Sequence, residues 1–282
     1  MTTSTLDHII HISPPGKLRQ AIDHFEGLGF VVLPGGQHAD GMTSNALVIF
    51  NDGVYLELIA FRHEVDYYPV GTPERERRES HWWASKSPGW IDWANLGIDH
   101  EVANTINNRS GGLVEYHQPQ EGGRTKPDGT ELKWRVTFPD LVHERGSLPF
   151  FCEDVTPRDR RVPLEPHSNT QHPCGATGIS HIKLRTSKEH VERLSKQLDI
   201  VMGNQSELVF EAERHWTLHT PVMDSQSGPA RIILIASEAM AVGMVAELIE
   251  VGFYVAVEPL HPSNNDSDKR FGAITWCPPP GS

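Results

Sequence analysis

Two stretches with the same pattern decide the fold of this chain: Leu6-Asp7-His8-Ile9-Ile10 near its start and Ile179-Ser180-His181-Ile182-Lys183-Leu184 in its second half. A weaker copy, Trp90-Ile91-Asp92-Trp93-Ala94-Asn95-Leu96, lies between them. Each copy is a short apolar strand that is followed within about ten residues by a helical pattern, which predicts a repeated β-α-β unit. Repetition of this kind builds a symmetric cavity, and that cavity is where function is expected.

Composition limits the class of protein. The chain has 282 residues, 38% of them hydrophobic, enough for one large core or two ordinary ones. A formal net charge of −12 argues against nucleic acid or an anionic membrane as a partner, because both normally require a clustered basic surface. The three cysteines, Cys152, Cys174 and Cys277, have the spacing of neither a disulfide framework nor a thiolate zinc site. With no signal-peptide pattern and no apolar run of membrane-spanning length, a cytoplasmic protein is expected.

The first module, about residues 5–62, is predicted to have the order β-α-β-β-β. The helical spacing of Leu18, Ile22 and Phe25 predicts a helix after the first strand. Asn51-Asp52-Gly53 supplies the tight turn of a hairpin. The remaining strands are predicted over residues 30–33, 45–50 and 54–61.

The second module, about residues 89–156, repeats this order. Its strands are predicted over residues 90–96, 113–117, 131–137 and 149–155, with a helix over 99–108. Residues 157–175 are rich in proline, arginine and histidine and are interpreted as a linker or a wrapping segment. The predicted domains are therefore residues 1–165, which hold two modules, and 166–282, which hold a third, degenerate module and a C-terminal extension.

The third module opens at Ile179 and is predicted to have a helix over residues 187–198 with Ser187 as its N-cap. Further predictions are strands over 215–222 and 230–236, a helix over 239–250, an extended segment over 253–258 and a polar loop over 263–269. His181 stands where His8 stands in the first module, but the matching last strand has isoleucine in place of glutamate, so no metal site is expected here. This module is expected to complete the core, to pack on the first barrel or to form a homodimer, because an isolated half-barrel leaves sheet edges unpaired.

Two residues of the first module stand out for their chemistry. Alternation along residues 55–59 turns Glu57 toward a mostly apolar environment. Burying a lone carboxylate costs several kcal/mol, so Glu57 is expected to be protonated, paired or bound to a cation. His8 also lies in mid-strand, where a neutral imidazole is either a metal ligand or a hydrogen-bonded core residue. Glu153 holds the same place in the last strand of the second module that Glu57 holds in the first.

A resemblance to a known family rests on three segments of the first module: Leu6-Asp7-His8-Ile9, Gly35-Gly36-Gln37-His38 with Thr43-Ser44-Asn45-Ala46-Leu47, and Tyr55-Leu56-Glu57-Leu58. They resemble a glyoxalase-like domain of the vicinal oxygen chelate superfamily. Segments of the second module match the other half of that domain, namely Trp82-Trp83 with Pro88-Gly89-Trp90-Ile91-Asp92, Gly123-Arg124 with Pro127-Asp128-Gly129 and Trp134-Arg135, and Leu148-Pro149-Phe150-Phe151. Together they cover residues 5–165.

The resemblance implies an α+β fold in which repeated β-α-β-β-β modules form a cupped, open mixed-sheet barrel. It also implies a divalent metal, Zn²⁺, Fe²⁺, Mn²⁺ or Ni²⁺, held by one residue from the first strand and one from the last strand of each module. Carried over by position, the ligands are His8, Glu57, Asp92 and Glu153. Asp92 departs from the family pattern, in which His, Gln or Glu is more usual, and many binding members of the superfamily hold no metal.

The chemistry of such a site gives the leading hypothesis. A metal ion with open positions can chelate two adjacent oxygens of a small metabolite and stabilise an enediolate. Glu153 is then the expected general base, because a carboxylate in an apolar pocket has a pKa raised toward neutrality, whereas the alternative makes Glu153 a ligand or a partner of Arg158. We therefore predict a metal-dependent lyase or isomerase. A metal-free protein that binds or sequesters a small molecule is the alternative, and an interaction domain is the third.

Substrate binding is assigned to residues around the predicted cup. Positive charge is concentrated at Arg124, Lys126, Arg135 and Arg158. Together with Trp134, such residues can hold an anionic or oxygen-rich small molecule against an aromatic face. Alternation sends Trp134 and Arg135 to opposite faces of their strand, so only one of them can line the cavity. His38 and Asn45, on either side of a turn at Gly41, complete the predicted substrate-binding set.

Overall fold

The computed structural model of this chain describes residues 2–97, 100–140, 145–210, 213–222, 228–238, 240, 244–255 and 270–279. Its strands form two sheets, one closed into an eight-stranded barrel and one with six strands. In the described ranges, no helix combines the length and the apolar character needed to cross a membrane.

The first module contributes four strands and a helix to the barrel. They are β1 (Leu6–Ser13), α1 (Leu18–Gly27), β2 (Leu33–His38), β3 (Thr43–Ile49) and β4 (Tyr55–Phe61). Helix α1 buries Phe25, as the helical spacing predicts, and also Ala21, while Leu18 and Ile22 are partly buried against the same core. A second helix, α2 (Pro73–Ser80), begins at the N-cap Thr72, whose hydroxyl accepts a hydrogen bond from the Arg75 amide.

The second module contributes the other half of the barrel. Its elements are β5 (Gly89–Leu96), α3 (Val102–Ser110), β6 (Gln120–Thr125), β7 (Glu131–Thr137) and β8 (Phe150–Asp154). A short helix, α4 (Arg158–Arg161), follows and packs back onto the barrel through Arg161, which is buried.

The order of strands around the barrel is β1-β4-β3-β2-β6-β7-β8-β5. In each module the first strand runs parallel to the last, so that His8 pairs with Tyr55 and Ala94 pairs with Phe150. The two modules meet where β1 runs antiparallel to β5 and His8 faces Ala94. The other junction, between β2 and β6, is short, with Gln37 and His38 as its paired residues on β2. The α+β class and the cupped barrel of repeated modules are confirmed, and the ring of strands is closed.

The second sheet repeats much of this arrangement. Its elements are β9 (Ala176–Ser187), α5 (Val191–Met202), β10 (Glu207–Phe210), β11 (Glu213–Thr217), β12 (Arg231–Ser237), β13 (Ala246–Val255) and β14 (Ala273–Cys277). The strand order is β10-β11-β12-β9-β13-β14. Strand β9 runs parallel to β12 and antiparallel to β13, and β13 runs parallel to β14. In the barrel, β1 likewise runs parallel to β4 and antiparallel to β5, and β5 runs parallel to β8. The second sheet therefore corresponds to the barrel, except that β6 and β7 have no counterparts among the described residues.

One apolar core joins the two sheets. Residues from the outer face of β1 and from α1, such as Ile9 and Phe25, belong to the same buried cluster as Ile182 and Phe253 of the second sheet. A separate cluster lies inside the barrel and includes Ile10 and Phe150. The predicted boundary between residues 165 and 166 stays a prediction.

Several predicted elements differ from the structure. Residues 30–32 are not a strand, because Phe30 is part of the core and packs on Phe25 and Phe50, and the strand begins only at Leu33. Residues 113–117 are not a strand either. The corresponding strand of this module is β6. It was not predicted, because Gly122 and Gly123 have low strand propensity.

Two predictions in the C-terminal half were also inaccurate. Helix α5 begins at Val191 with His190 at its N-cap, whereas Ser187 ends β9 and accepts a hydrogen bond from the His190 amide. Residues 246–250 are the start of β13 and not a helix, because their buried residues alternate with partly exposed ones. Other parts of the predictions, residues 99, 239, 241–243, 256–258 and 263–269, lie outside the described residues.

Candidate functional site

A cavity of about 370 Å³ occupies the inside of the barrel. Its floor carries polar groups from the first module, including His8, Asn45 and Glu57. Its walls are mainly aromatic and apolar: Met42, Tyr55, Trp82, Trp83, Trp134, Val136, Phe138 and Phe150. A mostly apolar cavity with a few convergent polar groups is the usual form of a small-molecule site.

The imidazole of His8 is held by its neighbour in sequence. The register of β1 against β5 shifts between Leu6 and His8, which leaves Asp7 as an extra residue in the strand. Asp7 therefore reaches the same side as His8, and His8 Nδ1 lies 2.8 Å from Asp7 Oδ2. The carboxylate accepts a hydrogen bond from Nδ1–H, which leaves Nε2 as the ring nitrogen that can take up or release a proton on the cavity side. The Tyr55 ring stacks on this imidazole at 4.7 Å between ring centroids.

Asp7 is fully buried, and its charge is balanced by two arginines that were not part of the predicted metal site. Arg158 Nη1 lies 2.6 Å from Asp7 Oδ1, and Arg161 Nη1 lies 2.9 Å from Asp7 Oδ2. Burial alone would raise the pKa of Asp7, but the charges of Arg158 and Arg161 outweigh it and hold that pKa well below its usual range. Helix α4 thus keeps Asp7 ionised beneath His8.

Glu57 is the acidic centre of the floor. Asn45 donates to Glu57 Oε1 at 2.5 Å, and His38 Nε2 lies 3.4 Å from the same oxygen. His8 Nε2 lies 3.7 Å from Glu57 Oε2, which is longer than a hydrogen bond. Burial would raise the pKa of Glu57, but hydrogen bonds from His38 and Asn45 and the charges of His38 and His8 lower it to about 2.

Arg124 extends this network at the cavity wall. It donates from Nη1 to Asn45 Oδ1 at 3.2 Å and from Nη2 to the Arg161 carbonyl at 3.2 Å. Its Nε is buried and has no hydrogen-bond partner within the described residues, and desolvation lowers the pKa of this guanidinium. A buried cationic donor of this kind suits an oxygen atom of a bound molecule.

The aromatic wall depends on a glycine of β6. A Cβ atom on Gly122 would come within 2.5 Å of Trp134 Nε1, so only glycine lets this indole lie flat across the strand. The Trp134 ring meets His38 edge to face at 5.9 Å. Trp134 lines the cavity and Arg135 does not, in line with the alternation along β7.

Asp92 does not line the cavity. Its carboxylate accepts hydrogen bonds from Trp83 Nε1 at 2.9 Å and from the Trp93 amide at 3.0 Å. Arg145 Nε lies 3.8 Å from Asp92 Oδ2, and its guanidinium stacks on the Phe138 ring at 3.8 Å from the centroid. Asp92 thereby balances a buried arginine beneath the cavity wall.

Glu153 also lies away from the cavity. Its neighbour Cys152 lines the cavity, so alternation turns Glu153 to the outside of β8. There its Oε1 lies 2.9 Å from His100 Nδ1 and 3.7 Å from Arg135 Nη1, and His100 is largely exposed. Arg158, considered in the sequence analysis as a partner of Glu153, pairs with Asp7 and Asp154 instead.

The strand register shows why the metal set from the two modules does not converge. In the parallel pairs, Tyr55 beside His8 corresponds to Phe150 beside Ala94. The counterparts of His8 and Glu57 in the second module are therefore Ala94 and Cys152. Alanine offers no ligand, and burial raises the pKa of the Cys152 thiol, so that a thiolate is disfavoured. Within the described ranges, no three His, Cys, Asp or Glu residues are arranged to hold a metal ion.

The sequence analysis missed several residues that shape the site. Asp7 was passed over because alternation places it opposite His8, and a bulge is not visible in one sequence. Arg161 lies in the segment interpreted as a linker, yet it donates to the Tyr55 hydroxyl at 2.8 Å and lines the cavity. The adjacent pair Trp82-Trp83 was noted only for its resemblance to the family.

Comparison with known proteins adds a family. A model described as a glyoxalase-like domain matches residues 6–200. A hypothetical protein from Staphylococcus aureus has a TM-score of 0.67 at 16% identity, over 97% of this chain and 99% of that chain. A Mn(II)-bound glyoxalase from Novosphingobium aromaticivorans has a TM-score of 0.46 at 12% identity, over 90% of this chain and 66% of that chain. A mutant of 4-hydroxymandelate synthase from Streptomyces coelicolor has a TM-score of 0.49 at 11% identity, over 90% of this chain and 72% of that chain. No curated protein matches the sequence.

Proposed function

Because this chain belongs to the glyoxalase-like domain family, we propose that its barrel cavity binds a small oxygenated organic molecule and exchanges a proton with it without a metal ion. One observation carries the proposal. His8 is held by Asp7 through Nδ1, and its free Nε2 faces the Glu57 carboxylate at 3.7 Å across the cavity floor. A carboxylate that fixes one imidazole nitrogen orients the other as a general base, and a second carboxylate nearby stabilises the imidazolium that forms.

The proton transfer follows from these positions. His8 Nε2 takes a proton from a carbon next to a carbonyl group, and the imidazolium that forms lies between the carboxylates of Asp7 and Glu57. Arg124, whose Nε lacks a partner among described residues, is the cationic donor on the same wall for the enolate oxygen. Return of the proton to a neighbouring atom gives an isomerisation, and loss of a leaving group gives a lyase reaction.

The absence of a metal requirement is part of the proposal. The predicted metal-dependent lyase or isomerase needs ligands from both modules, but Asp92 is bonded to Trp83, and Glu153 lies outside the barrel. Glu57 is itself a weak base, since its pKa is about 2. His8 is the better candidate for the proton acceptor.

The walls limit the class of molecule. Trp83, Phe150 and Trp134 offer flat apolar surfaces, whereas His8, Asn45 and Glu57 form one polar cluster on the lining. A fitting ligand has an aromatic or alicyclic body and adjacent oxygens at one end. Phenylpyruvate has both and carries an exchangeable carbon-bound proton, so it serves as a probe.

The test is deuterium exchange at C3 of phenylpyruvate in D₂O, followed by NMR with the full-length protein. We expect the protein to accelerate exchange and His8→Asn to lower that acceleration by about a hundredfold, the usual share of a general base. Asparagine keeps a donor toward Asp7, so it is the conservative variant. Treatment with EDTA and addition of Mn²⁺, Zn²⁺, Fe²⁺ or Ni²⁺ should leave the rate unchanged.

A second function, binding without chemistry, is favoured by the aromatic walls alone. In that case phenylpyruvate quenches the tryptophan fluorescence and no exchange is seen, with wild-type protein and His8→Asn alike. Exchange that appears only after a metal is added would contradict the proposal and restore the metal-dependent mechanism.

A further inference from the structure

A cysteine and a histidine meet across a strand of the second sheet, away from the barrel cavity. His181 lies on β9 and Cys277 on β14, with β13 between them. His181 pairs with Gly252 of β13, and a Cβ atom there would come within 2.2 Å of His181 Cε1 and 2.3 Å of Nδ1. Glycine at this position lets the imidazole lie over β13 and reach toward β14.

A bulge brings a hydroxyl to the same place. The register of β13 against β9 shifts between Gly252 and Phe253, which leaves Ser180 as the extra residue on β9. Ser180 Oγ then lies 2.8 Å from His181 Nδ1. Cys277 pairs with Tyr254 of β13, and its thiol lies close enough to His181 and Ser180 for both to act on its pKa.

A carboxylate orients the imidazole from its other end. His181 Nε2 lies 2.8 Å from Glu250 Oε1, and Lys183 Nζ donates to the same oxygen at 2.6 Å. Glu250 is half-buried and His181 is buried, so the pair is partly shielded from solvent. A nucleophile beside a base that a third group orients is the arrangement of an activated thiol.

The titration behaviour agrees with this geometry. Burial would raise the pKa of Cys277, but hydrogen bonds from His181 and Ser180 lower it. Burial would lower the pKa of His181, but its bonds to Cys277 and Glu250 raise it. The other two cysteines behave in the opposite way, since burial raises the pKa of Cys152 and of Cys174. Cys277 is the partly exposed member of the three.

We propose that Cys277, His181 and Glu250 form a nucleophilic thiol site that is alkylated by small electrophiles of the α,β-unsaturated carbonyl class. His181 takes the thiol proton, and the Cys277 sulfur forms a bond to the β-carbon of the electrophile. The π electrons of the C=C bond move to the carbonyl group as an enolate. The proton on His181 then passes to the α-carbon, which leaves a neutral thioether and a neutral imidazole.

The experiment measures the alkylation of each cysteine in the folded, full-length protein at pH 7 with N-ethylmaleimide, by peptide mass spectrometry over time. Cys277 should react about tenfold faster than N-acetylcysteine, because more of it is thiolate, while Cys152 and Cys174 stay unmodified. His181→Gln should reduce the Cys277 rate about tenfold and move its pH profile toward that of an ordinary thiol.

His215→Gln is the matched control, since His215 is a half-buried histidine of the same sheet paired with Glu213 at 2.6 Å. It should leave the Cys277 rate unchanged. Gly252→Ala, which displaces the His181 ring, should lower the rate as His181→Gln does. A wild-type Cys277 that reacts no faster than N-acetylcysteine, or a rate unaffected by loss of His181, would overturn the proposal. The wild-type pH profile decides the matter if either variant fails to fold.

Discussion

His8 Nδ1 and Asp7 Oδ2 lie 2.8 Å apart, although the two residues are neighbours on one strand and alternation would separate them. The bulge at Asp7 interrupts this alternation, so that the side chains of Asp7 and His8 lie on the same side of the strand. The same device recurs at Ser180 and His181, where the hydroxyl lies 2.8 Å from the imidazole. Both repeats therefore place an oxygen against the Nδ1 atom of a histidine, and in both the Nε2 atom faces a glutamate.

Asp7→Asn tests how far this carboxylate stabilises the fold. The change leaves Arg158 and Arg161 without their buried counter-charge. A buried pair that loses one partner typically costs about 3–5 kcal/mol. We expect the free energy of unfolding in urea to fall by about that amount. Asp154→Asn is the control, because Asp154 bonds the same arginines from a more exposed position, and its loss should be clearly smaller. Equal losses in the two variants would contradict this account of Asp7.

Glu57 should make the free energy of unfolding fall at acid pH. Its pKa falls from 4.5 to about 2 on folding, so the native state holds the ionised form. A group with a lowered pKa stabilises the fold above its unfolded pKa and loses that effect as the pH drops toward its folded pKa. At about 1.4 kcal/mol per pH unit, roughly 3 kcal/mol should be lost between pH 4.5 and 2. Glu57→Gln should lack this part of the pH dependence in urea unfolding, and identical slopes for both proteins would refute it.

Strand alternation made the inward position of Glu57 and the outward position of Leu56 predictable, since β4 has no bulge along its pairing with β1. The second module shows where this reasoning stops. Glu153 was matched to Glu57 by its place in the last strand, but the parallel register puts Cys152 there. A slip of one residue exchanges the two faces of a strand. In β8 the consecutive residues Phe150, Phe151 and Cys152 are all buried, so no alternation showed which face Glu153 occupies.

Asp92 is expected to support the fold and not to bind a metal. It is the nearest carboxylate to Arg145 among the described residues, at 3.8 Å, so Asp92→Asn leaves a buried cation without its counter-charge. The free energy of unfolding should fall by about 3 kcal/mol or more. Trp83→Phe removes the hydrogen bond at 2.9 Å together with part of a buried ring, but it leaves the Asp92 charge in place, and it should cost about 1–3 kcal/mol. An Asp92→Asn protein as stable as the wild type would show that Arg145 is compensated in another way.

Glu153→Gln separates the two assignments of the base. Glu153 pairs with the exposed His100 and with Arg135 outside the barrel, so neutralising it should change stability by less than about 1 kcal/mol. The exchange of phenylpyruvate should also stay at the wild-type rate, because no atom of Glu153 lines the cavity. His8→Asn, measured in parallel, supplies the expected large loss on the same scale. If Glu153→Gln folded normally and yet lost exchange to the same degree, the outer face of β8 would be the reactive one, and the assignment of His8 would fall.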